Sequence, residues 1–219
     1  MRGIGPVCGR WGVGGPADAI IGLYRRHGLA WAADRAAGPF VEAAWLARFV
    51  ALLRPGGSVL DIGCGAGAPI GVMLTAAGFA VTGIDTSAPL LALARARLPA
   101  ATWIEADMRE LALGRRFDGL IAWDSFFHLA QHDQRTMFAR FSAHAQLSAP
   151  LIFTSGPAHG EAIGCLRGEP LFHASLDPEE YRALLADAGF EVLAHTANDA
   201  GCGGRSVWLA RHSGETGPG

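Results

Sequence analysis

Apolar and polar positions follow two rhythms along this chain, and the change falls near residue 56. Ahead of it the spacing is helical. Residues 17–37 carry Ile20, Ile21, Leu23 and Tyr24, then Leu29, Ala30 and Trp31; they predict an amphipathic helix that Gly28 can break and Pro39 ends. Residues 40–53 predict a second helix with Trp45, Phe49, Leu52 and Leu53 on one face. Pro55-Gly56-Gly57 then turns the chain. Beyond it, short apolar runs alternate with helical stretches. Strands are expected at 59–62, 79–84, 101–105, 117–123, 151–154, 190–194 and 205–210, and helices at 69–77, 89–98, 131–146 and 178–188.

Strands alternating with helices imply an α/β fold with a parallel, doubly wound sheet. The last two strands are joined by a loop holding Gly201, Gly203 and Gly204, too short for a helix, so they form an antiparallel hairpin. Residues 155–175 remain a long connection after the fifth strand. The 219 residues suffice for one such domain with a modest cap. Loose ends are expected at 1–15 and 213–219, a helical N-terminal region at 16–56 and the core at 57–212.

Composition narrows the function classes. Net charge is −2, all 18 basic residues are arginines, and no basic run exceeds a pair, so nucleic acid is not the expected partner. No uncharged apolar run approaches about 18 residues, so no membrane span is expected. Residues 1–15 do not resemble a signal peptide. Cys8, Cys64, Cys165 and Cys202 form no C-x-x-C pair and suggest reduced thiols in a cytoplasmic protein, a monomer or homodimer.

Candidate chemistry concentrates at Asp61-Ile62-Gly63-Cys64-Gly65-Ala66-Gly67, between a buried strand and a helix opening near Pro69. Glycines let the backbone turn through positive φ and approach a ligand closely. A dinucleotide fingerprint is technically present in Gly63, Gly65 and Ala68. A carboxylate two residues before the first glycine would repel a pyrophosphate, however, and suits a ligand with a positive end. The loop resembles motif I of the class I S-adenosylmethionine-dependent methyltransferases, and the resemblance covers roughly residues 17–212. It implies a Rossmann-like seven-stranded sheet with the last strand antiparallel, an N-terminal helical lid, and S-adenosyl-L-methionine as cofactor with S-adenosyl-L-homocysteine as product.

In open parallel sheets the ligand lies beyond the carboxyl ends of the strands, so the residues there should converge. By resemblance Asp61, Gly63, Cys64, Gly65 and Pro69 form the cofactor loop, and Asp85, with Thr86 and Ser87, holds the ribose. Ser87 equally suits an N-cap. Asp107 and Met108 fall where the family binds adenine. Trp123, Asp124 and Ser125 follow strand four in a stretch resembling motif IV. Tyr24, Trp31 and Arg35 lie on the lid, where Arg35 is shaped for the methionine carboxylate. Phe126, Phe127 and His128 then wall an acceptor pocket. His128 is the catalytic candidate, as a general base or a polar group near the methyl, against a helix-start histidine bonded to backbone. His159, Glu161 and His173 in the long connection are candidates for acceptor specificity. No ligand spacing for a metal is present.

The expected function is methyl transfer to the oxygen, nitrogen or sulfur of a small molecule. Rivals are a nicotinamide oxidoreductase and a non-catalytic cofactor-binding relative. Amide-methylating relatives often carry an Asn/Asp-Pro-Pro motif after strand four; Trp123-Asp124-Ser125-Phe126 lacks those prolines, which argues against a macromolecular acceptor.

Overall fold

A computed structural model describes residues 15–214. The expected loose ends fall outside it, apart from Gly15, Ser213 and Gly214. Nine strands are described: β1 (Ser58–Ile62), β2 (Ala80–Asp85), β3 (Thr102–Glu105), β4 (Gly119–Ala122), β5 (Pro150–Ser155), β6 (Gly160–Leu166), β7 (Glu169–Ser175), β8 (Phe190–Asp199) and β9 (Arg205–His212). Seven make one sheet in the order β3-β2-β1-β4-β5-β9-β8, in which β9 runs antiparallel to both neighbours. Six helices surround it: α1 (Pro16–Ala37), α2 (Ala43–Val50), α3 (Ile70–Ala76), α4 (Ala88–Arg97), α5 (Gln131–His144) and α6 (Pro178–Asp187).

The alternation of each strand sends its side chains to two cores. Val59, Ile121 and Ile152 join Trp45, Phe49, Leu74 and Leu91 from α2, α3 and α4. Leu60, Leu120 and Leu151 join Phe138, Phe141 and Tyr181 from α5 and α6. Burying both faces explains why the central strands read as nearly unbroken apolar runs. Strand order reverses between β1 and β4, which opens a crevice beyond their carboxyl ends. No helix among the described residues is long and apolar enough to cross a membrane.

Three expectations about the elements need correction. Gly28 does not break α1; it is buried, and a Cβ there would lie 2.9 Å from Leu90 of α4, so the residue permits close helix crossing instead. The second helix is shorter than expected, with turns at both ends. The long connection is not a loop: β6 and β7 form a hairpin closed by Arg167 and Gly168, both at positive φ (53° and 86°). That turn follows the primed geometry favoured in two-residue hairpins. Cys64 and Cys202 are free thiols. Cys8 lies outside the described residues, while Cys165 is disulfide-bonded, contrary to the expectation of reduced thiols.

Candidate active site

The glycine loop is tied to the tip of β2 by its own backbone. The N–H groups of Gly63 and Cys64 both donate to the Ile84 carbonyl, at 2.8 and 3.0 Å. The Gly65 N–H donates to one oxygen of Asp85 and the Ser87 N–H to the other, each at 2.8 Å. Gly63 has φ +78°, and a Cβ on it would lie 2.7 Å from Ser125 Oγ and closer still to Ser125 Cβ. The Ser125 hydroxyl cannot easily retreat, because it donates to the Ile62 carbonyl at 2.6 Å. Gly63→Ala is therefore expected to cost about 2–4 kcal/mol by combined strain and overpacking, read as a lowered midpoint in denaturant titration.

A cleft opens above this loop. Of the expected cofactor residues, Tyr24, Trp31, Gly63, Gly65, Asp85, Thr86, Asp107, Met108, Trp123, Asp124 and Ser125 line it. A smaller hollow adjoins it at Trp31, Gly63, Trp123 and Asp124, and brings in Arg35, Asp61, Cys64 and Pro69. The residues beyond four strand tips thus converge as expected.

Ser87 does not line either space. It is fully buried, and its hydroxyl donates to the Tyr24 carbonyl at 3.3 Å, tying α1 to α4 rather than capping α4.

Electrostatics separates the two acids at the loop from every other carboxylate nearby. Among the described residues no basic side chain bonds Asp61 or Asp85. Burial pushes the Asp61 carboxyl up to about 7, helped by the neighbouring charge of Asp85. Burial also raises Asp85, partly offset by the N–H groups of Ser87 and Gly65. A carboxyl whose folded pKa is raised keeps its proton between the ordinary carboxylate range and about 7 while the unfolded chain loses it. Stability of the ligand-free protein should therefore fall as pH rises through that window.

The other charged residues are already paired. Asp107 is gripped by Arg109 through its backbone N–H and its guanidinium, at 2.7–3.1 Å. Burial alone would raise the Asp107 carboxyl, but those bonds outweigh it and hold it low. Asp124, at φ +48°, receives Arg205 through Nε and Nη2 at 2.7–3.1 Å. Arg35 is engaged by the fully buried Glu42 carboxylate. Arg109, Arg205 and Glu42 were not anticipated from sequence; each acts through a partner, and only the adjacency of Arg109 to Asp107 offered a signal.

Among the aromatic residues after β4, Phe126 departs from expectation. It is fully buried against Phe138, Phe141, Phe153 and Tyr181, on the core side of a short 3-10 turn (Phe126–His128), and cannot touch an acceptor. Phe127 faces outward. His128 is buried between two partners: Nδ1 lies 2.8 Å from the Phe172 carbonyl and Nε2 lies 3.1 Å from the Tyr24 hydroxyl. A carbonyl only accepts, so Nδ1 carries the proton and Nε2 accepts from Tyr24. Burial lowers the imidazole pKa to about 4, so the ring stays neutral at neutral pH. Burial, with Asp124 and Asp85 behind it, raises the Tyr24 phenol and keeps it protonated.

Tyr24 and His128 also border a second, wider chamber on the hairpin side, where Phe127, His159, Glu161 and His173 are found. The expected acceptor residues other than Phe126 are thus gathered in one space. Among the described residues no group of three or more His, Cys, Asp or Glu is arranged to hold a metal ion.

This strand order, with its antiparallel β9 and a glycine loop answering an acid at the tip of β2, defines the class I methyltransferase fold. Residues 59–146 match the family model of the methyltransferase domain, and this segment of the chain is a methyltransferase domain. The chain is 40% identical over 106 residues to a dTDP-3-amino-3,6-dideoxy-alpha-D-glucopyranose N,N-dimethyltransferase of Streptomyces fradiae, a match covering 47% of this chain and 41% of that protein. The match thus spans about two fifths of the curated relative's length. Among solved structures, the fold is similar to CalS10, an amino pentose methyltransferase from Micromonospora echinaspora, with TM-score 0.66, 24% identity and coverage of 84% of this chain and 96% of that one. It is also similar to the 1,6-didemethyltoxoflavin-N1-methyltransferase of Burkholderia thailandensis, with TM-score 0.72, 19% identity and 94% of each chain.

Proposed function

We propose that this protein transfers a methyl group from S-adenosyl-L-methionine to a nitrogen of a small-molecule acceptor. The observation that carries the reading is the pair of buried carboxylates, Asp61 and Asp85, with no basic partner among the described residues. Such a pair favours a cationic nucleoside and disfavours a diphosphate, which answers the nicotinamide rival. The curated relative is named as an N,N-dimethyltransferase, which supports nitrogen over oxygen or sulfur.

The residues present fit the cofactor. Asp85 spends one lone pair of each oxygen on backbone N–H groups and retains others for the two ribose hydroxyls. Met108 covers the adenine face, and Asp107 shares its carboxylate between Arg109 and the exocyclic amine. Asp61 receives the ammonium, while N–H groups of Arg35 not used by Glu42 meet the carboxylate. Tyr24, Trp31 and Trp123 close the walls around the sulfonium, as aromatic faces favour a cation.

When bound, the cofactor supplies an electrophilic methyl; the S–CH₃ bond breaks as the N–CH₃ bond forms, and the nitrogen loses a proton. The chain mainly aligns the acceptor and keeps water out. Because the Tyr24 proton points at His128 Nε2, the phenolic oxygen presents its lone pairs toward the acceptor N–H. His128 thus fixes the direction of that acceptor atom.

Two measurements test this reading. Calorimetry should show binding of S-adenosyl-L-homocysteine, and labelled methyl should appear on an amine in a panel of small acceptors; NADH binding in place of the nucleoside would overturn it. Since a cation favours ionised Asp61, affinity for the cofactor product should rise about tenfold between pH 6 and pH 8. Asp61→Asn should flatten that dependence.

A further inference from the structure

The wide chamber next to Tyr24 and His128 holds several charged residues, and its cationic groups are already paired. Arg205 is bonded to Asp124 by its fork, and Arg35 is bonded to Glu42. The chain contains no lysine. Of the imidazoles, His128 is committed as a neutral ring by geometry, since Nδ1 donates to the Phe172 carbonyl. His128 Nε2 accepts from Tyr24, and His159 Nε2 faces the Gln131 amide nitrogen, a donor, at 3.4 Å. His173 stands 4.9 Å from His128 and 5.1 Å from Phe127, ring to ring, and burial lowers its pKa. Glu161 is exposed in the same chamber and has no cation partner among the described residues.

With the remaining N–H groups of Arg35 taken by the carboxylate of the bound cofactor, a diphosphate in this space would find no uncommitted guanidinium among the described residues and would meet an unopposed carboxylate. Recognition of a diphosphate normally rests on free forks or on backbone N–H groups at a helix start. A cation finds the opposite: Glu161 at the rim and aromatic faces within, from Trp31, Phe127 and the neutral His128 ring. Hydroxyls find the ring nitrogens of His159 and His173.

We infer that the acceptor is a hydroxylated amine that carries no phosphate, enters the chamber as a cation and gives up its ammonium proton to solvent before its nitrogen lone pair attacks the methyl. The inference rests on the methyl-transfer reading and narrows it. It also separates this chain from the relative named for a dTDP-linked amino sugar, although the two share 40% of residues over the matched segment.

The test uses the full chain saturated with S-adenosyl-L-homocysteine. Two probes are titrated calorimetrically: 2-deoxystreptamine, a hydroxylated cyclic diamine, and thymidine diphosphate. The diamine should bind at least about tenfold more tightly. Glu161→Gln should weaken the diamine by about two- to fivefold, the worth of one exposed ion pair, and leave binding of the cofactor product unchanged. Glu161→Arg should shift the preference toward the diphosphate.

Equal or tighter binding of thymidine diphosphate overturns the inference. So does failure of both probes to bind, or indifference of the diamine to Glu161→Gln. Failure of S-adenosyl-L-homocysteine itself to bind overturns the methyl-transfer reading, and this inference with it. Thermal unfolding of both variants checks that an exposed substitution has not unfolded the chain.

Discussion

Asp85→Ala should weaken binding of S-adenosyl-L-homocysteine by about 10²- to 10⁴-fold. Two hydrogen bonds from ribose hydroxyls to a carboxylate are worth about 1.5–3 kcal/mol each, and about 1.4 kcal/mol is a factor of ten. The substitution also releases the Gly65 and Ser87 N–H groups that Asp85 accepts, so the glycine loop loses its tie to β2. Asp85→Asn separates the two effects. Its amide oxygen can still serve one backbone N–H, but it loses the charge and half of the acceptor capacity. Its affinity should fall between those of the wild type and Asp85→Ala, with a melting temperature nearer the wild type. Calorimetry on the three proteins reads the outcome directly. An Asp85→Ala protein that binds within threefold of the wild type would remove the ribose assignment.

Asp61, Gly63, Gly65 and Asp85 could be placed from sequence because a local rule applies to each. A buried strand must end, a glycine turn must follow, and the next strand in register brings its own acid to the same edge. The hairpin of β6 and β7 escaped because β6 is exposed or half-exposed along its length. No burial alternation is imposed on it, so its period is silent in the sequence. Its turn residues, Arg167 and Gly168, are also outside the usual Asn-Gly and Asp-Gly signals. Phe126 and Phe127 are neighbours of the same type, and only the 3-10 turn decides which one faces the core. Long pairings were equally invisible: Arg205 reaches Asp124 across 81 residues. Arg35 shows the converse, since its position on the lid was legible while the buried Glu42 that holds it was not.

The second large effect concerns His128 and Tyr24. His128→Ala should reduce kcat by about 10²-fold, the scale for losing the alignment of a group that meets the reacting nitrogen. Affinity for S-adenosyl-L-homocysteine should stay within threefold, because the histidine lies at the acceptor side of the cleft. Tyr24→Phe removes the oxygen presented to the acceptor and should cost a similar factor. If the two act as one unit, the double variant should be little worse than either single one, since the loss of either partner already disables the pair. Multiplicative losses would mean separate roles. A purely structural histidine makes a different pattern: a lower melting temperature from the unpaired Phe172 carbonyl, with kcat per folded molecule unchanged. The imidazole pKa near 4 adds a further check, because protonating His128 removes its capacity to accept from Tyr24. Any acid limb owed to this residue must therefore lie near pH 4, and a limb near pH 6.5 that vanishes in His128→Ala would show that the ring is not buried as neutral imidazole.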